Sequence, residues 1–179
     1  AVLNSRGDDL KMCMPSIKNF KIDNKDLSID VKIESESLCP RYSGVSISNV
    51  TVNESPDWLK HKLLSIGINP INNIVDVTNY VLHETGQPLH AFDTEKILGK
   101  EIIVKTLSND TNFITLDESN RKLSDNDLMI CNAKEPMCIA GVFGGLDSGV
   151  TKNTNSIFIE SAYFDPTSIR KTAKYHKLN

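Results

Sequence analysis

Leu27, Ile29, Val31 and Ile33 alternate with Ser, Asp and Lys. Successive side chains of a strand point to opposite faces, so this pattern predicts a half-buried strand. A second strand is expected after Pro40. There Val45 and Ile47 alternate, then Val50 and Val52 do so one register later, which places a bulge at Ser48-Asn49. The period changes at Ser55-Pro56. A helix is predicted there, with Ser55 as N-cap and Pro56 at the first helical position. Its apolar stripe is Leu59, Leu63 and Ile66, and Gly67 ends it. A second helix starts near Asn72 or Asn73 and carries Ile74, Val75, Thr78, Val81 and Leu82 on one face. Gly86 stops it and Pro88 prevents its resumption.

Beyond Pro88 the pattern turns to short strands separated by turn residues. These are Glu101–Leu107, Asn112–Leu116, Asp127–Cys131, Met137–Phe143 and Ser156–Ala162, with a hairpin turn at DESN, residues 117–120. The last element is a helix opened by Asp165-Pro166 and running to about His176. Helices flank a block of strands, an order that argues for an α+β fold with mainly antiparallel sheet and against a doubly wound one.

The chain has 179 residues, 39% of them apolar, enough for one medium domain or two small lobes sharing a core. A net charge of −3 gives no global attraction to nucleic acid. Any RNA contact must be local, and no DNA partner is expected. Cys13, Cys39, Cys131 and Cys138 have neither C-x-x-C spacing nor a His pair. Four reduced thiols in a cytoplasmic protein are therefore expected, with no metal site. No apolar run approaches a membrane span. The opening AVLNSRGDDLKM lacks an initiator Met and a signal-peptide core, as a fragment of a longer polypeptide would.

Polar groups crowd IVDVTNYVLHETGQPLHAFD, residues 74–93, beside Val, Leu and Phe. Buried polar groups must find partners, so such crowding suits a ligand site. Asn79 projects from the edge of the apolar stripe that holds Thr78 and is the better ligand candidate of the two. His90 lies among apolar residues, as a hydrogen-bonded core histidine or as a water-orienting group. Glu160 shares a strand face with Phe158, Ala162 and Phe164, while Ile157, Ile159 and Tyr163 share the other. Both faces read as buried. A carboxylate there is costly unless something binds it, either a structural partner or a ligand. AGVFGG, residues 140–145, gives a strained turn or a close backbone approach. It is no phosphate loop, because no GK[ST] follows. On the last helix Arg170, Lys174 and Lys177 share a face, either solvated or set against RNA phosphates.

CPRYSG (39–44), INPINNIVDVTNYVLHETGQPLHAFD (68–93), AGVFGG (140–145) and IESAYFDPTSIRKTAKYHKL (159–178) together resemble the beta subunits of bacterial phenylalanyl-tRNA synthetase. The resemblance makes residues 38–179 the central editing module, truncated at its C-terminal end, and residues 1–37 the preceding linker with a first strand. It implies a β-sandwich-like core with flanking helices, a fold shared with a domain of tRNA-lysidine synthetase. It implies hydrolysis of tyrosine wrongly esterified to the phenylalanine tRNA, without aminoacylation by this module. Glu160 would accept the phenolic hydroxyl. His90 and Asn79, with Thr78 beside them, would hold the amino acid's polar end and the attacking water. Ala140 and Gly141 would line the pocket, and Gly144 and Gly145 would leave room for the ring and ribose. The implied partners are an alpha subunit, in a tetramer of two alpha and two beta chains, the phenylalanine tRNA, and tyrosine as editing substrate. No cofactor is implied in this module, and ATP and magnesium serve only the full ligase. The family often has Arg where this chain has Asn69, and it continues past the last helix with a Thr-x-Ala segment that lines the pocket. The other reading is a non-catalytic scaffold or tRNA-guiding module of the same synthetase.

Overall fold

The computed structural model describes residues 15–178. Its strands are β1 (Asp30–Ile33), β2 (Arg41–Ile47), β3 (His90–Asp93), β4 (Glu101–Thr106), β5 (Asn112–Ile114), β6 (Asn120–Lys122), β7 (Leu128–Cys131), β8 (Pro136–Ile139), β9 (Phe143–Gly144) and β10 (Ile157–Tyr163). The helices are α1 (Asp57–Ser65), α2 (Asn73–Thr85) and α3 (Pro166–Tyr175). The fold is α+β with mainly antiparallel sheet. A five-stranded sheet has the order β1-β4-β7-β8-β9, a three-stranded sheet the order β2-β10-β3, and β5-β6 form a hairpin. The exception is β1, which pairs in parallel with β4. A parallel pair needs a long crossover, and here the crossover holds β2, both early helices and β3.

The five-stranded sheet is the middle layer. Ile102, Val104, Leu128 and Ile130 on one face join Phe92 and Phe158 of the three-stranded sheet in the main core. Met129, Cys131 and Ile139 on the other face meet Phe113 and Leu123 from the hairpin region. β7 is covered on both sides, so all four of its residues are buried. Cys39, Cys131 and Cys138 are free, buried thiols, and Cys13 lies outside the described residues. None of the described helices is long and apolar enough to cross a membrane.

Local signals hold well at the helix ends. The Asn72 side chain accepts hydrogen bonds from the Ile74 and Val75 N–H groups, both at 3.0 Å. Gly86 closes α2 with φ 78°, and Asp165 caps α3 by accepting from Ser168 N–H at 2.7 Å. Several expectations are corrected. Pro56, not Ser55, is the N-cap of α1. Ser55 instead donates its hydroxyl to Asp76, which is buried at the start of α2. Ile66 is exposed, because α1 buries only Leu59 and Leu63. The second strand ends at Ile47 with no bulge continuing it, and Val50 N–H bonds Asn155 carbonyl from outside the strand. Met137–Phe143 breaks at a turn into β8 and β9. β10 is not buried on both faces along its length, since Tyr163 is 58% exposed.

Candidate functional site

β10 is the central strand of the three-stranded sheet, so Glu160 has a neighbour on each side. Its cross-strand partners are Gly44 on β2 and His90 on β3. Residues directly opposite in an antiparallel pair project to the same face. Register alone therefore brings Glu160 and His90 together across 70 residues of sequence separation. Both line a cavity of about 610 Å³, with Cys138, Gly141, Gly144 and Arg170 also in its wall. Phe143, Phe164 and Ile169 supply apolar surface there.

Glu160 is 6% exposed. Its Oε2 accepts a hydrogen bond from the Tyr42 hydroxyl at 3.1 Å, while Oε1 has no hydrogen-bond partner among the described residues. No Lys or Arg pairs with it among the described residues. Burial pushes its carboxyl up to about 7, and the Tyr42 hydrogen bond acts the other way. Burial, and after it the Glu160 carboxylate, pushes the Tyr42 phenol up in turn, so it stays protonated and remains a donor.

Burial pushes the His90 imidazole down to about 4, which makes the ring neutral at pH 7. Its Nε2 is shielded from solvent and has no hydrogen-bond partner. A buried polar atom left unpaired costs about 1–3 kcal/mol. The ring meets Phe92 edge to face at 4.4 Å between centroids. With Nε2 shielded, Nδ1 is the ring nitrogen that retains exposure.

The other sequence candidates separate. Thr78 is buried, and its hydroxyl donates to Val75 carbonyl at 2.7 Å within its own helix. Neither Thr78 nor Asn79 is in the cavity wall, because α2 ends at Thr85 and the chain enters the wall only at Gly86. Asn69 is exposed and also outside it. Ala140 is fully buried in the core, not at the surface of the cavity. Of the glycines of AGVFGG, Gly141 and Gly144 lie in the cavity wall and Gly145 does not. A Cβ on Gly144 would stand 2.9 Å from Leu116 Cδ1 and 3.4 Å from His90 Cε1, and one on Gly145 would stand 2.6 Å from Met137 carbonyl oxygen. They permit close packing, and Gly141 turns the chain with φ 65°. Arg170 reaches the cavity, whereas Lys174 and Lys177 lie exposed farther along the chain.

Sequence reasoning missed Tyr42. The available signal was its place in CPRYSG, two residues before Gly44 and so on the same face of β2. A larger cavity, about 690 Å³, includes Gly145. Its buried polar side chains Asn132 and Ser148 are bonded to backbone groups, so it lacks the unsatisfied chemistry seen around Glu160. Among the described residues no group of three His, Cys, Asp or Glu side chains is arranged to hold a metal.

The family model described as B3/4 domain matches residues 38–179. The phenylalanine–tRNA ligase beta subunit of Bacteroides thetaiotaomicron is 58% identical over 179 residues, covering 100% of this chain and 22% of that protein. The Porphyromonas gingivalis protein of the same name is 52% identical over 180 residues, with the same two shares. The chain thus spans about a fifth of the length of these relatives. An N-terminal fragment of the phenylalanyl-tRNA synthetase beta subunit from Pyrococcus horikoshii shares the fold. Its TM-score is 0.57 at 12% identity, over 84% of this chain and 47% of that one.

Proposed function

The chain belongs to the B3/4 domain family, in the form carried by phenylalanine–tRNA ligase beta subunits, and from that membership we propose that it removes tyrosine wrongly esterified to the phenylalanine tRNA. Glu160 carries this reading. A carboxylate held in a largely apolar cavity, with one oxygen unpaired and no cation paired with it among the described residues, suits a ligand that brings its own hydroxyl donor. A pocket shaped for phenylalanine cannot strongly reject a side chain that merely adds a hydroxyl, so a second site must select for that hydroxyl. Tyrosine would give Glu160 a donor. Phenylalanine would leave its Oε1 desolvated and unpaired, a difference that can reach ~10⁴-fold in such sites. Phe143, Phe164 and Ile169 would cover the ring, and neutral His90 would orient water toward the ester carbonyl through Nδ1. Arg170 would meet the phosphate backbone of the tRNA end. Activation of phenylalanine with ATP and magnesium would belong to the alpha subunit of the assembled, cytoplasmic ligase.

The test is deacylation of tyrosyl- and phenylalanyl-tRNA by the full synthetase that carries this chain. The tyrosyl ester should be cleaved selectively, and Glu160→Ala should remove the selectivity. Equal rates on both esters in the unaltered enzyme overturn the reading. The placement of Thr78 and Asn79 outside the cavity wall favours a second reading, a non-catalytic scaffold or tRNA-guiding module. The same assay decides, because a scaffold leaves both esters intact.

A further inference from the structure

We propose that Tyr42 is the positioning residue of this site, turning the Glu160 carboxylate so that Oε1 meets the substrate hydroxyl. The proposal rests on the editing reading and extends it to a residue outside the sequence candidates.

Tyr42 faces Ala162 across the β2–β10 pair, one step along the same sheet face from the Gly44–Glu160 pair. Such a diagonal neighbour lies within reach of an aromatic side chain, and its hydroxyl arrives at Oε2 at 3.1 Å. Gly44, directly opposite Glu160, has no side chain to bond the carboxylate. His90, opposite on β3, makes no hydrogen bond to it. The thiols of Cys39, ahead of β2, and Cys138, on β8, are both pushed up by burial and by the Glu160 carboxylate. They are neutral at pH 7 and bond backbone carbonyls instead. Arg170, from α3, lines the cavity without pairing with Glu160. Tyr42 therefore supplies the one hydrogen bond that favours the charged form of Glu160 among the described residues. A hydrogen bond given to one oxygen also fixes the plane of the carboxylate. With Oε2 occupied, the incoming phenol has Oε1 as its acceptor. A charged acceptor binds a hydroxyl more strongly than a neutral acid does.

Tyr42→Phe keeps the ring and removes the donor. Two measurements test the proposal. First, the carboxyl carbon of Glu160 is titrated by NMR in the chain, assigned by its loss in Glu160→Gln. Its midpoint should rise by about one pH unit in Tyr42→Phe, the size expected when a carboxylate loses a charge-assisted hydrogen bond. Second, the ratio of tyrosyl to phenylalanyl deacylation by the full synthetase is followed against pH. The ratio at pH 7 should fall roughly fivefold in Tyr42→Phe, as a midpoint moved up by one unit from about 7 requires, and recover at higher pH, and it should be low and independent of pH in Glu160→Gln. A purely structural Tyr42 would slow both esters together and leave the midpoint of the ratio in place. An unmoved NMR midpoint, or a ratio profile that does not shift, overturns the proposal. A wild-type enzyme without tyrosyl selectivity at any pH overturns the editing reading instead, and the proposal falls with it.

Discussion

Glycine at position 44 is required by a ring. Gly44 faces Glu160 across the β2–β10 pair, and a Cβ there would overlap the end of the Phe158 ring. Phe158 is 3% exposed and two residues before Glu160 on the same face, so its ring packs directly beside the carboxylate. Neither ring nor backbone has room to give, since Phe158 is flanked by Phe92 as well. Gly44→Ala should therefore cost about 1–3 kcal/mol, the usual penalty for overpacking a dense core. Urea denaturation measures it directly, and an unchanged midpoint would show that the ring can move aside freely. Such freedom would also weaken the case for a fixed carboxylate, because the same packed face sets where Glu160 points.

At the level of elements, α1 and α2 are joined through their starts. Asp76 has no exposed surface. Its Oδ2 accepts from the Ser55 hydroxyl at 2.5 Å and its Oδ1 from Ile71 N–H at 2.8 Å. Removing the acid leaves the buried Ser55 hydroxyl without its acceptor and frees the Ile71 N–H of an exposed residue, while removing Ser55 leaves one buried acceptor site empty. In a double-mutant cycle, Asp76→Ala and Ser55→Ala should be non-additive, with a coupling of about 0.5–3 kcal/mol by thermal or urea unfolding. Strict additivity would show that the pair does not interact. This link explains what was legible in the sequence and what was not. Asn72, Gly86 and Asp165-Pro166 act within one turn of their own helix, so their meaning is local and the ends of α2 and α3 could be read. Ser55 has the same local signature, but its hydroxyl is taken by a residue 21 positions away. β3 was not foreseen, because HAFD becomes a strand only through pairing with β10. The apolar side chains of β2 misled for a similar reason. Val45 and Ile47 are 40% and 41% exposed, because register with β10 turns Tyr42, Gly44 and Ser46 toward the Glu160 face. In the site itself, Glu160 and His90 stood out as polar residues in apolar runs. Tyr42 did not, since a tyrosine near the start of a strand is ordinary until its hydroxyl is seen to reach a carboxylate.

For the whole molecule, Glu160 and His90 pull stability in opposite directions with pH. Glu160 titrates at about 7 in the folded chain against an ordinary value of 4.5. Between those values the folded chain holds a proton that the unfolded chain has released. The stability from this group is full below about pH 4.5 and is lost as pH rises toward 7. His90 titrates at about 4 against an ordinary 6.5, so the unfolded chain takes up a proton that the folded chain cannot. Its contribution is present above pH 6.5 and is lost as pH falls toward 4. From pH 4.5 to 6.5 the two effects oppose each other. Asp117, held down to about 2 chiefly by the Thr115 hydrogen bond, acts below its ordinary 3.8 and outside this window. Relative to the parent chain, Glu160→Gln should make stability rise more steeply with pH across the window, because only the His90 effect remains. His90→Gln should make it fall more steeply. Urea midpoints taken between pH 4.5 and 6.5 distinguish these slopes by sign. If both variants keep the parent slope, neither group is desolvated in solution, and the cavity that joins them is open to water. A tyrosine hydroxyl would then gain little over a bare ring at Glu160, so the same titration tests the physical basis of selective hydrolysis without any ester present.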